Sequence, residues 1–196
     1  CFHYASSKRL QPSDKNKAKK KEKRTVEKYH PMAIGVIIDV KRDNLAPVKE
    51  SLLSSIGNIP VGEDLFYLYD PDVDETMDKK GKKIQSIFNY KKMKINPYAS
   101  LLQTSMILGQ EIDEEYRRKV IFIADQYDES YNEQVDVVLQ INESQRLNCD
   151  YFFIGIGQQS FNFSKNTEST HIITIELTDL EKTLNKIFEE DKDGEE

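Results

Sequence analysis

Asp39 stands where an apolar run meets a charged one. Ala33-Ile34-Gly35-Val36-Ile37-Ile38-Asp39 is followed by Val40-Lys41-Arg42-Asp43-Asn44. A short continuous apolar run reads as a strand buried on both faces. Its last residue then surfaces at the carboxyl edge of the sheet, where open α/β sheets bind ligands. A second set of carboxylates, Asp70-Pro71-Asp72-Val73-Asp74, has the first three alternating ligands of a calcium loop. The pattern then fails, because Glu75 stands where Gly is needed and Gly81 where a bidentate Glu is needed. A solvated loop is the better reading there. For catalysis the chain offers His3, His30 and His171, with no Ser-His-Asp spacing, nucleophile elbow or phosphate loop. The aromatics Tyr98, Tyr127, Tyr131, Phe161 and Phe163 fall in or after loops expected at the carboxyl edge. They read either as interface anchors or as core and loop packing.

The elements that must position these residues follow from periodicity and punctuation. Strands are expected over Met32–Asp39, Leu65–Tyr69, Lys119–Asp125, Asp150–Gly155 and His171–Ile175. Lys83–Phe88 reads as an antiparallel edge strand after a polar loop, Asp70–Lys83. Helices are expected over Ala46–Ile56, with Val48, Leu52, Leu53 and Ile56 on one face, and over Pro97–Leu108, with Leu101, Leu102, Ser105 and Leu108 inward. Two more are expected over Asn132–Arg146 and Leu180–Glu190. Asp43 and Asn44 are expected to cap the first helix, and Thr178-Asp179 the last. Strands alternating with helices imply α/β architecture: a three-layer, doubly wound, mostly parallel sheet with one antiparallel edge strand.

Charge is divided along the chain. Residues 1–30 carry ten Lys and Arg against three Asp and Glu, a net of +7, and the remainder carries 18 against 31, a net of −13. Residues 1–30 lack hydrophobic period and are expected to be a disordered basic arm or linker. Residues 31–190 are expected to form the domain, and 191–196 an acidic tail. An acidic body argues against nucleic-acid binding by the domain. The arm reads as a solvated linker or, through residues 1–28, as an electrostatic attachment to an anionic membrane surface or nucleic acid. No run of 18 apolar residues exists. Cys149 precedes an apolar strand and reads as a small buried hydrophobe. Cys1 opens the chain, which suggests either a lipidated N-terminus, as in a bacterial lipoprotein, or a cut just after a membrane helix with the lysines as its positive-inside flank. The expected location is therefore membrane-associated or cytoplasmic.

The succession of local patterns resembles the von Willebrand factor A domain over about residues 31–190. The resemblance lies in the opening strand ending in Asp39 and in Pro60-Val61-Gly62-Glu63-Asp64-Leu65-Phe66-Tyr67-Leu68-Tyr69, like the family's turn into its second strand. It continues in Asn96-Pro97-Tyr98-Ala99-Ser100-Leu101-Leu102, like its Thr-Pro-Leu-x-x-Ala-Leu segment, and in Arg118–Asp125, like its strand ending in Thr-Asp-Gly. It closes with Tyr151-Phe152-Phe153-Ile154-Gly155-Ile156-Gly157, like its Ile-Gly-x-Gly strand. A nucleotide-binding Rossmann domain would need a glycine-rich turn after strand one, and Val40–Leu45 has no glycine.

Many members of that family hold a divalent cation with Asp-x-Ser-x-Ser, a Thr and a later Asp. The resemblance places Asp39, Lys41, Asp43, Asn96 and Asp125 at those positions. Both aspartates match, but Lys41 and Asp43 replace the serines, Asn96 the threonine and Gln126 the glycine after the last aspartate. An ammonium group cannot ligate a metal. It can supply the positive charge that crowded carboxylates need. The economical expectation is a degenerate, metal-free site in which Lys41 pairs with Asp39 and Asp125, with no cofactor. The alternative is that Lys41 swings into solvent and Asp39, Asp43, Asn96 and Asp125 hold Mg²⁺ or Ca²⁺ through waters. The expected function is a non-catalytic protein-binding module, an adaptor or assembly subunit. Its partner would bring basic residues to an edge carrying Asp39, Asp43, Asp125, Asp128, Glu129, Tyr98 and Tyr127. The alternatives are a metal-dependent adhesion-type binder and, more distantly, an enzyme using Asp39 and Asp125 as acid and base.

Overall fold

The computed structural model describes residues 32–59, 65–69, 77–79, 82–86, 97–157, 161 and 167–189, and gives the backbone alone for 65–69, 77–79 and 82–86. The basic arm, the acidic tail, Asp70–Asp74, Asn96 and Phe163 lie outside the described residues.

Four strands form an all-parallel sheet: β1 (Met32–Asp39), β5 (Arg117–Ala124), β6 (Cys149–Ile156) and β7 (Thr170–Ile175), in the order β1-β5-β6-β7. β2 (Leu65–Tyr69) lies parallel on the other side of β1. Two short strands, β3 (Met77–Lys79) and β4 (Lys82–Ser86), fall between β2 and the next helix. β4 pairs parallel with β2, so the antiparallel direction expected for this stretch is not what it adopts.

Among the described residues the α-helices are α1 (Arg42–Asn58), α2 (Pro97–Gln110), α3 (Asn132–Ser144) and α4 (Leu180–Glu189). They divide between the two sheet faces because neighbouring residues on a strand point to opposite sides. Met32, Ile34, Val36 and Ile38 pack with Val48, Leu52 and Ile56 of α1 and Leu180, Leu184 and Ile187 of α4. Ala33, Ile37, Val120, Phe122, Tyr151 and Phe153 pack with Leu101 and Leu108 of α2 and Val135, Val138 and Leu139 of α3. Gly35 lets α2 come close: a Cβ there would collide with the buried Thr104 side chain.

Element ends differ from the expected ones in instructive ways. α1 begins at Arg42, a turn before the expected Ala46, with Pro47 inside it. Pro47 lacks only the amide that would bond the Asp43 carbonyl, so the loss is confined to the first turns. Phe161, between β6 and β7, packs on the α2 and α3 side of the sheet, 4% exposed, against Phe122, Tyr127 and Phe153. Among the described residues no helix is long and apolar enough to cross a membrane.

Candidate functional site

β1 leads on to β2 on one side, and the chain returns to the sheet at β5 on the other. The strand order therefore reverses between β1 and β5, and a crevice opens at the carboxyl ends of such a pair. Asp39 ends β1 and pairs in register with Ala124, so Asp125 comes next to it. The Asp125 amide donates to the Asp39 carbonyl at 3.3 Å. Two parallel strands thus hold two carboxylates side by side.

Asp125 closes the start of α1. One carboxylate oxygen accepts from the Lys41 amide at 2.9 Å, and the other accepts from the same amide at 3.1 Å and from Asn44 Nδ2 at 2.6 Å. The first amides of a helix lack partners within it and carry a partial positive charge, so a carboxylate is favoured there. Two expectations change as a result. Asp43 and Asn44 do not cap α1: no side chain of its own caps it, Asn44 serves Asp125, and Asp43 is exposed in the first turn. The expected pairing of the Lys41 ammonium with Asp39 and Asp125 is replaced by a main-chain contact. The Lys41 side chain is exposed.

Asp39 is held more loosely. One oxygen accepts from the Tyr98 hydroxyl at 3.3 Å and the other from Gln126 Nε2 at 3.3 Å. Burial raises its pKa above the ordinary carboxylate value. The Gln126 and Tyr98 bonds oppose that rise, and the neighbouring Asp125 charge adds to it. The net shift is upward.

The tyrosines expected at an exposed rim are inside. Tyr98 is 5% exposed and Tyr127 8%. Tyr98 stacks on Tyr131 at 4.0 Å between ring centroids and leans on Phe122. Tyr127 packs on Phe161 and donates its hydroxyl to Asn132 Oδ1. Burial pushes both phenols toward the neutral form. A loop-edge tyrosine offers the same letter whether it faces water or the core, and here the rings pack with Phe122 and Phe161. Asp128 remains exposed and accepts from the Ser130 amide at 2.9 Å, which caps the 3-10 turn Glu129–Tyr131.

Beside the paired carboxylates lies an open cleft of about 570 Å³, lined by Lys41, Asn44, Asp125, Ile156, Gly157, Glu176 and Leu177. Gly157 adopts a φ of 76° at its floor, a conformation that disfavours any side chain. The sequence reading missed Glu176 here, and it gave Gln126 and Asn44 other roles, as a replaced glycine and a helix cap. Gln126 follows the strand-ending Asp125 directly, and that adjacency was a usable signal. Among the described residues no group of three or more His, Cys, Asp or Glu side chains is placed to hold a metal ion. Asn96, which the resemblance added to the set, lies outside them. No protein-family model matches this chain, and no curated protein matches it.

Proposed function

We propose that the chain is a von Willebrand A-like module that binds a protein partner at the carboxyl edge of its sheet and performs no catalysis. The observation that carries this reading is the engagement of both strand-end carboxylates by protein donors. Asp125 is taken by Lys41 N–H and Asn44, and Asp39 by Tyr98 and Gln126. Donors built into the chain do the work that a cation does in the family it resembles. The cleft next to them stays open, with Lys41 and Glu176 on its wall. Asp43, Asp128 and Glu129 are exposed around the same edge and suit a partner with basic residues. The module serves as an adaptor or assembly subunit, and its basic residues 1–28 attach it to an anionic membrane surface. The finer architecture that goes with this reading has an antiparallel sheet edge, Met77–Lys79 against Lys82–Ser86, which the register Asp78↔Lys83 supports.

A second reading keeps a divalent cation. What favours it is the raised pKa of Asp39, since a neighbouring cation would relieve two adjacent carboxylates. Calorimetric titration with Mg²⁺, Mn²⁺ and Ca²⁺ separates the two. The expected result is no heat at micromolar affinity for the unaltered chain, and metal uptake created or strengthened by Lys41→Ser. A strong site that includes Asp39 and Asp125 in the unaltered chain would overturn the metal-free reading.

A further inference from the structure

β7 closes the sheet, and among the described residues no strand pairs with its outer side. The Tyr151 amide donates to the Ser169 carbonyl, and the Gly157 amide to the Ile175 carbonyl. In a parallel ladder a residue points its N–H and C=O to the same side, and neighbours alternate. Ser169, His171, Ile173 and Ile175 therefore face β6, while Ile172 and Thr174 aim their amides and carbonyls outward. Soluble proteins blunt such an edge with Lys, Pro, a bulge or a charged side chain. Thr170-His171-Ile172-Ile173-Thr174-Ile175 has none of these and is rich in β-branched residues. Ile172 is also one of two exposed large hydrophobics among the described residues, at 38%.

Charge names the occupant. Exposed Glu168 precedes the strand and exposed Glu176 follows it, so an uncharged strand is bracketed by carboxylates. A second copy is disfavoured. Two-fold antiparallel pairing centred on Ile172 would put Ile172 on Ile172 and Thr170 on Thr174, but also Glu168 on Glu176. An extended segment with an uncharged, β-branched core and a basic residue at each end has the complementary charge in either direction. We infer that β7 is a strand-addition site for an extended segment of another protein, uncharged over about five residues and flanked by Lys or Arg. The site runs along the outer side of β7 and meets the carboxyl-edge cleft only at Glu176, which lines both.

The test uses the full chain. The probe is a synthetic peptide of alternating threonine and valine with two lysines at each end, and its control carries glutamates in place of the lysines. The expected result is binding of the lysine peptide alone, weakening as salt rises, with hydrogen-exchange protection gained at Ile172 and Thr174. Ile172→Lys adds a gatekeeping charge, and Thr174→Pro removes an outward amide without touching the β6 ladder. Each is expected to weaken binding about tenfold or more while leaving the melting temperature in place. Equal binding of the glutamate peptide overturns the inference. So does undiminished binding by both folded variants, or protection confined to the Asp125–Asp128 loop. Self-association through β7 that excludes the peptide would assign the edge to a second copy instead.

Discussion

The two ends of the sheet treat charge in opposite ways. At the amino end the charges are cations, and they are sealed. Arg118, 7% exposed, donates to the Leu147 carbonyl at 2.7 Å and the Ile112 carbonyl at 2.9 Å. Lys119, 2% exposed, donates to the Ile187 carbonyl at 2.6 Å, with its ammonium 5.6 Å from the centre of the Phe152 ring. Ile187 lies in the last turn of α4, the negative end of that helix. At the carboxyl end the charges that close the strands, Asp39 and Asp125, are anions, less buried, and one sits on the positive start of α1 beside exposed Lys41. Cations at helix ends and anions at helix starts follow from one dipole rule. The difference lies in closure. The amino-end cations bond short to backbone that cannot leave, while Asp39 has two long bonds to side chains. A sealed charge holds the fold together, and a loosely held one beside a cleft can change partners.

That contrast can be broken from its strong end first. Arg118→Ala removes two buried charge-assisted bonds and orphans two carbonyls. It is expected to cost on the order of 4 kcal/mol in denaturant unfolding, with no effect specific to partner binding. A loss below about 1 kcal/mol would show the amino end to be open too. Tyr98→Ala comes next, at roughly 3 kcal/mol of stability, because it empties a stacked core position. Tyr98→Phe keeps the ring and loses only the bond to Asp39, so about 1 kcal/mol is expected. Equal losses for the two variants would mean that the hydroxyl, and not the ring, matters.

The smallest effect sharpens the other end. Asp39 has a raised pKa in the folded chain, so the folded state holds its proton to higher pH than the unfolded state does. The contribution of Asp39 to stability is full below the ordinary carboxylate value of 3.8 and is lost as pH rises through the raised value. Asp39→Asn should therefore raise the melting temperature slightly at neutral pH, and the gap should close on acidification through that window. A gap independent of pH would mean that the two forms of Asp39 are held equally well.

Much of the fold is legible in the letters, and the reasons are local. β1 ends at Asp39 as expected because an uninterrupted apolar run stops there, and β2 matches Leu65–Tyr69 for a similar reason. α3 and α4 start where expected because apolar spacing and polar starts agree. α1 was placed late because its expected apolar face begins only at Val48, and Arg42-Asp43-Asn44 before it are polar or charged. The direction of β4 had no local signal, since strand pairing is a long-range choice. In the site, the nearness of Asp39 and Asp125 was expected from the resemblance, and in the structure adjacent strand ends supply it. The donors were not: Lys41 acts through an amide that every residue carries, and the letter advertised its ammonium. Arg118 and Lys119 read as a basic strand start, and nothing in their spacing announces backbone carbonyls overhead. Cys149 was read correctly as buried, and that burial pushes its thiol up to about 12, which keeps it unreactive.

Gly35 sits four residues before Asp39, with the Thr104 side chain pressed against it. Thr104 is nearly two turns along α2 from Tyr98, whose hydroxyl reaches Asp39. A packed helix moves as a rod, so the depth of one contact at Gly35 sets the reach of a phenol at the far end. Gly35→Ala would act as a wedge under that rod and lift Tyr98 from the carboxylate. The strength with which this edge grips anything is thus adjustable from the underside of a helix, by a residue that no ligand touches.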